Sequence, residues 1–271
     1  MPELPEVETI ARTLREGSGT GFSIIGKAIE EVLVLWERSI ATPSVLEFQQ
    51  KIQGQTILDV NRRGKYIVMT LSEDSLLFHL RMSGMLSLQP RYKPPKKHDR
   101  LIFLLEERQC LVFEDARKFG RVWLLAEPQD ELGHLGPEPL APELNEEQFF
   151  HMLHASKRQL KPLLMDQSFL AGLGNIYTDE ALFKAKLHPL LNSSELDRNQ
   201  AAALLKAIRE TLLEGIQWNG ASIDWVYRGG DFQNHFCVYG RKGEGCPICR
   251  TTIERIIVAQ RGTYFCPNCQ K

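Results

Sequence analysis

Four cysteines near the C-terminus limit what the last part of this chain can become. They read Cys246-Pro-Ile-Cys249, sixteen intervening residues, then Cys266-Pro-Asn-Cys269. Each Cys-x-x-Cys turn lets two thiolates reach one ion, and two such turns complete a tetrahedral shell. Between the pairs the chain is short and strand-like, with Gln260-Arg261-Gly262-Thr263 reading as a central turn. The spacing therefore predicts a β-hairpin clamped at its base by one zinc ion. A shell closed by Cys246, Cys249, Cys266 and Cys269 makes that metal structural, not catalytic. Two disulfides are the alternative, which an intracellular chain argues against. The two other cysteines, Cys110 and Cys237, are expected to fill core space.

A length of 271 residues fits two domains and a small third unit. The start is acidic with no apolar stretch behind it, and no run approaches a membrane span. A soluble, intracellular protein is expected. Net charge is only −1, yet the charge is segregated. Residues 122–147 carry seven acids and no Lys or Arg, while 236–271 carry six Lys/Arg against two Glu. Further basic clusters lie at 62–65, 91–100, 117–121 and 157–161. Such segregation builds one basic face on a neutral molecule, the footprint of a polyanion partner.

Along the chain, a helical pattern over 5–16 comes first, with Pro5 suited to a first turn. Short runs rich in Val, Ile and Leu follow at 29–35, 55–60, 66–71, 76–80, 101–105, 110–114 and 121–125, which predicts an antiparallel sandwich behind a leading helix. A proline-rich connector at 136–142 then gives way to helical patterns at 146–155, 162–166, 176–185 and 198–217. Glycines at 172 and 174 allow a tight turn and close approach of backbone to a ligand. Asn175 would cap the helix after it, or hold a phosphate oxygen at its head. Residues 220–234 bear glycine and aromatics without strong periodicity, as a loop over a pocket would.

The beginning, Met1-Pro2-Glu3-Leu4-Pro5-Glu6-Val7-Glu8, carries chemistry. Methionine before a small residue is usually clipped, and a free N-terminal proline is a secondary amine that can attack an electrophilic carbon. An α-amino group titrates near 8, so part of it is unprotonated at neutrality. Glu3 supplies an adjacent carboxyl for proton transfer.

Taken together the motifs resemble the bacterial formamidopyrimidine-DNA glycosylases from end to end. The resemblance rests on MPELPEVE at 1–8, RRGKY at 62–66, HLRMSG at 79–84, KHD at 97–99, DARKFGR at 115–121, HLGPEPL at 134–140, LKPLLMDQSFLAGLGNIYTDEALF at 160–183, VYGRKGEGCPIC at 238–249 and QRGTYFCPNCQK at 260–271. It implies an α+β multidomain fold: an N-terminal antiparallel β-sandwich with a leading helix (1–135), a helix–two-turn–helix DNA-binding domain (136–235) and a C-terminal β-hairpin zinc finger (236–271).

The resemblance also implies removal of oxidised purines from double-stranded DNA, followed by strand cleavage through a Schiff base on Pro2. Glu3 would donate the proton that opens the sugar ring. Lys65 would act as an acid near the lesion, and Arg261 would grip phosphate and serve δ-elimination. Glu6 would support the pocket, or simply favour the helix dipole as a first-turn acid. Because a stacked base cannot be reached, it must be flipped out. Met82, Arg117 and Phe119 would fill the gap, and His98, Arg117, Lys157, Lys161 and Asn175 would meet phosphates. Residues 220–238 would cover the flipped base. A monomer in the bacterial cytoplasm is expected, with one structural zinc ion and no membrane partner. Two other readings stand beside it: a non-enzymatic zinc-dependent binder of damaged duplex, and an enzyme of the same build acting on oxidised pyrimidines.

Overall fold

The structure, a computed structural model, describes residues 1–17, 21–90, 94–222 and 229–271. The Cα packing divides the chain into two compact units, 1–133 with 222–230, and 134–221 with 231–271.

In the first unit, α1 (Leu4–Glu16) forms because Leu4, Val7, Ile10, Ala11 and Leu14 recur on one face, which is buried. Pro5 sits in its first turn, and Gly17 ends it at φ 73°, a left-handed position that suits glycine. The strands follow: β1 (Ile29–Val34), β2 (Ile40–Thr42), then a helix α2 (Val45–Ile52), β3 (Ile57–Arg63), β4 (Tyr66–Leu71), β5 (Ser75–His79), β6 (Gly84–Pro90), β7 (Asp99–Leu105), β8 (Gln109–Asp115) and β9 (Arg121–Leu125). A short helix α3 (Gln129–Leu132) closes the unit.

These strands make two sheets, ordered β1-β7-β8-β6 and β2-β9-β5-β4-β3. Pairing is antiparallel except between β2 and β9, which run parallel. One apolar core fills the space between sheets and helices, with Phe78 in aromatic contact with Phe103 and Phe113 (ring centroids 5.8 Å each). The expected sandwich with a leading helix is thus present. A second helix, α2, was not expected; it falls between β2 and β3 and buries Phe48 and Ile52 into the same core.

The second unit holds α4 (Glu146–Ser156), α5 (Leu160–Leu164), α6 (Asn175–Lys184), α7 (Arg198–Gln217) and a hairpin of β10 (Glu254–Val258) with β11 (Arg261–Phe265). Helix α6 is buried from Ile176 to Phe183, and so acts as the centre post of this unit. Capping boxes at Asn145 and Asp197 start α4 and α7. The hairpin turn falls one pair earlier than the sequence suggests. Val258 pairs with Arg261, leaving Ala259 and Gln260 as a two-residue turn at φ 46° and 62°. Gly262 lies within β11, paired with Ile257, and the Arg255 guanidinium lies against it.

Candidate DNA-lesion site

The residues expected to act on DNA from the first unit converge on one end of the sandwich. In the five-stranded sheet Arg63 pairs with Tyr66, Tyr66 with His79, and His79 with Arg121. The turns that carry Lys65, Met82, Arg117 and Phe119 all leave the strands at that level. In the other sheet Gly84 pairs with Asp115, and Asp99 with Glu114, so His98 joins the same end.

Helix α1 aims its N-terminus there too. Arg15 near its C-terminus donates to the Val60 carbonyl at 3.1 Å, whereas Glu8 near its start accepts from Arg62 Nε at 3.0 Å. The helix therefore runs with its head toward the 63–66 turn. Pro2, Glu3 and Glu6 are all buried at that head. Glu6 accepts the Glu3 backbone N–H at 2.7 Å, which fixes the first turn and the residue before it. Lys65 is only 4 % exposed although it sits in a two-residue hairpin turn. Gly64 takes φ 57° there, the left-handed position a tight hairpin demands at its first place.

The turns that carry the expected gap-filling residues Met82, Arg117 and Phe119 are held by a carboxylate that the sequence did not single out. Asp115 is fully buried. It accepts the Ser83 hydroxyl, the Arg117 N–H at 3.1 Å and the Gly120 N–H at 2.7 Å. Arg117 N–H also donates to Ser83 Oγ at 3.0 Å, so the Met82 turn and the 116–120 loop are tied together. The His98 carbonyl accepts the Asp115 N–H at 2.9 Å, and Arg100 Nε donates to the Asp115 carbonyl at 2.7 Å. Both turns need glycine: a Cβ on Gly84 would fall 2.6 Å from the Leu80 carbonyl oxygen, and one on Gly120 2.4 Å from Phe113 Cζ. Phe119 is left 51 % exposed, with the Arg117 guanidinium 5.2 Å from its ring centre. Lys118, at φ 62°, lays its ammonium 3.8 Å from the Trp36 ring centre.

The second unit assembles the remaining residues around α6. Asn175 is the first residue of this helix, not its cap; Gly174 holds the cap position. The Asn175 amide donates to the Gly262 carbonyl at 3.1 Å and to the Tyr239 hydroxyl at 3.4 Å. Lys161 is 1 % exposed; its ammonium pairs with Asp179 and reaches the Asn175 carbonyl at 3.3 Å. Its burial sets it apart from an ordinary phosphate-gripping surface lysine. Lys157, by contrast, is exposed at the C-terminal end of α4, at φ 48°. Arg261 is exposed at the start of β11.

Two further acids were not singled out in the sequence, Asp179 and Glu180. Burial raises the Asp179 carboxyl to about 7 against the pull of Lys161. Glu180, raised by burial, accepts three consecutive N–H groups, from Cys237 at 2.8 Å, Val238 at 3.0 Å and Tyr239 at 2.7 Å. Adjacent acids flanked by Ile176, Tyr177, Ala181, Leu182 and Phe183 were the signal available for both.

The four cysteines bring their Sγ atoms within 4.8 Å of one another. Cys246 and Cys269 sulfurs are 3.8 Å apart, and Cys249 and Cys266 sulfurs 3.5 Å apart. A tetrahedron with Zn–S bonds of about 2.3 Å has edges of about 3.8 Å, so the set fits one zinc ion. The knuckles pack on Phe183, Val238 and Ile253. Gln270 stitches them down, accepting the Cys266 N–H at 2.8 Å and donating to the Leu187 carbonyl at 2.9 Å. Cys110 is buried in the sandwich, and burial raises the half-buried Cys237 thiol to about 11, which suits its expected filling role.

Part of the covering loop expected at 220–238, namely 223–228, lies outside the described residues, as do 91–93 of one basic cluster. The loop's stem is closed by Ser222, whose hydroxyl donates to the Gly230 carbonyl at 2.8 Å. Among the described residues no helix is long and apolar enough to cross a membrane.

Comparison with known proteins covers nearly the whole chain. Residues 1–122 match the formamidopyrimidine-DNA glycosylase N-terminal domain, 135–226 the H2TH domain of the same proteins, and 243–271 a zinc finger found in them and in IleRS. A formamidopyrimidine-DNA glycosylase of Protochlamydia amoebophila is 41 % identical over 100 % of both chains. The Lactococcus lactis protein, solved with a Fapy-dG containing DNA, superposes with a TM-score of 0.91 at 36 % identity, covering 99 % of this chain and 100 % of that one. A MutM structure with carbocyclic 8-oxo-G containing DNA gives 0.89 at 36 % identity over 100 % of both chains.

Proposed function

The chain belongs to the formamidopyrimidine-DNA glycosylase family, and from that membership we infer which of its residues do the work. It is a DNA glycosylase that excises oxidised purines, formamidopyrimidines and 8-oxoguanine, from duplex DNA. One structural zinc ion belongs to Cys246, Cys249, Cys266 and Cys269.

The catalytic reading starts at the head of α1. With Met1 removed, the Pro2 nitrogen is a secondary amine whose lone pair forms a bond to the sugar C1′ while the glycosidic C–N bond breaks and the purine leaves with that electron pair. The new amine loses its proton. Glu3 then protonates the ring oxygen as the C1′–O4′ bond opens, leaving a cationic iminium on Pro2. The iminium acidifies the C2′ hydrogen. Its loss expels the 3′ phosphate, and a second elimination expels the 5′ phosphate. Lys65, buried beside this helix head, serves as an acid near the lesion, and Arg261 serves the second elimination.

Met82, Arg117 and Phe119 take the space of the flipped nucleotide. An apolar wedge of this kind kinks the duplex at a partly unstacked step. His98, Arg117, Lys157 and Asn175 hold phosphates, while Lys161 acts from within by fixing the Asn175 backbone. The division into a catalytic 1–135, a DNA-gripping 136–235 and a zinc-bearing 236–271, and action as a monomer in the bacterial cytoplasm, belong to the same proposal.

The observation that carries the reading is the burial of Pro2 and Glu3 at a helix head directed to the end of the sheet where Lys65, Met82 and Phe119 gather. Borohydride reduction of enzyme mixed with an 8-oxoguanine duplex should trap a covalent adduct on a chain that lacks Met1. Pro2→Gly keeps only a primary amine in place of the ring nitrogen and should slow adduct formation at least tenfold, and Glu3→Gln should lower its yield by at least tenfold. A Pro2→Gly chain that still forms the adduct at the parental rate would refute the assignment.

A further inference from the structure

The Lys161–Asp179 pair is joined to the strand that begins with Arg261. Asp179 Oδ1 meets the Lys161 ammonium, and its Oδ2 accepts the Tyr264 backbone N–H at 3.0 Å. One turn earlier on the same helix face, Asn175 donates to the Gly262 carbonyl at 3.1 Å. Strand β11 is therefore held at two points, Gly262 and Tyr264, that flank Thr263 and lie one and three residues beyond Arg261. Lys161 closes the circuit by reaching the Asn175 carbonyl. Among the described residues β11 pairs with no strand but β10, so these bonds to α6 fix the direction in which β11 leaves its turn.

We propose that Asp179 is a positioning residue for Arg261, holding β11 against α6 so that the guanidinium stands where the second elimination needs it. This rests on the role assigned to Arg261 above. Asp179 is fully buried and lies outside the zinc shell. Its two oxygens have separate duties. One neutralises a buried ammonium whose isolation would be costly, and the other aligns a strand. Desolvation that raises its carboxyl to about 7 is the physical cost of keeping it there, which a residue serving only as surface charge would not bear.

The ratio of δ- to β-elimination product, read in single turnovers with enzyme in excess, tests this. A variant that merely folds poorly lowers both products together and leaves the ratio unchanged, because inactive molecules make neither. Asp179→Ala should lower the ratio at least fivefold, with zinc content per folded chain unchanged and base release altered less than about twofold. Asp179→Asn keeps an oxygen for the Tyr264 N–H and should lower it less. Arg261→Ala is the control for the premise. If Arg261→Ala lowers the ratio while both Asp179 variants keep it within twofold of the parent, the inference fails and the role of Arg261 stands. If Arg261→Ala leaves the ratio unchanged, the premise and the inference fall together.

Discussion

Tyr66 shows at the scale of one residue how burial and one hydrogen bond fix the strand behind the 63–66 turn. Its hydroxyl donates to Glu131 Oε1 at 2.7 Å, and its ring stands edge-on to His79 at 4.6 Å. Burial first, and then the Glu131 hydrogen bond, raise the phenol well above its ordinary 10.0. In the unfolded chain the same phenol ionises near 10, so the native state keeps a proton that the unfolded state loses. The stability contributed is full below about pH 10 and falls as pH climbs past it. Tyr66→Phe should cost about 1 kcal/mol at neutral pH and flatten the decline in stability toward alkaline pH. Urea titrations from about pH 8 to about pH 11 check this; parallel curves for the two proteins would contradict it. The residue scale is also where the sequence was read unevenly. Groups proposed to meet DNA announce themselves by type: a second-place proline, a turn lysine, a hairpin arginine. The carboxylates that hold them, Asp115 and Asp179, look like any acid until burial and partners are visible.

Elements carry a different lesson, drawn from the zinc hairpin. Its turn places Ala259 and Gln260 at φ 46° and 62°, where side chains cost about 1 kcal/mol per residue. The double substitution Ala259→Asn with Gln260→Gly puts the favoured Asn-Gly pair in this turn and should stabilise the tail by roughly 1–2 kcal/mol. Competition with a chelator should then need several-fold more chelator to strip the metal; equal or weaker retention would count against this turn geometry. The sequence reading places the turn at 260–263, whereas the chain reverses at Ala259 and Gln260. Gly262 instead pairs with Ile257 inside β11, with the Arg255 guanidinium against it. Helix α2 was legible and passed over: Ser44 accepts the Glu47 N–H at 3.4 Å, with Phe48 and Ile52 one turn apart. Strand β2 was not legible, since three residues hold no period, and its parallel partner β9 lies far along the chain. Longer elements with a clear period, such as β4, β9 and α7, fell where the pattern put them.

For the molecule as a whole, a net charge of −1 conceals a basic working set. Arg117, Lys157 and Arg261 are exposed cations assigned to DNA, while Lys161 spends its charge on Asp179. Each phosphate neutralised contributes about −0.9 to the slope of log affinity against log salt, so three cations give about −2.7. Anisotropy titrations of a lesion-analogue duplex between about 50 and 200 mM salt should give at least this slope. Lys157→Ala should make it shallower by about 0.9, and Lys161→Met by less. A slope near zero would remove the electrostatic reading of the surface. The level pairing of Arg63, Tyr66, His79 and Arg121 has its own bearing on that encounter. A slip of one place in any of these strands would offset its turn by about 3.3 Å, close to the spacing of successive base pairs. Pairing fidelity inside the protein thus acts as a vernier, setting the level at which the proposed wedge residues and Lys65 would meet adjoining steps of the double helix.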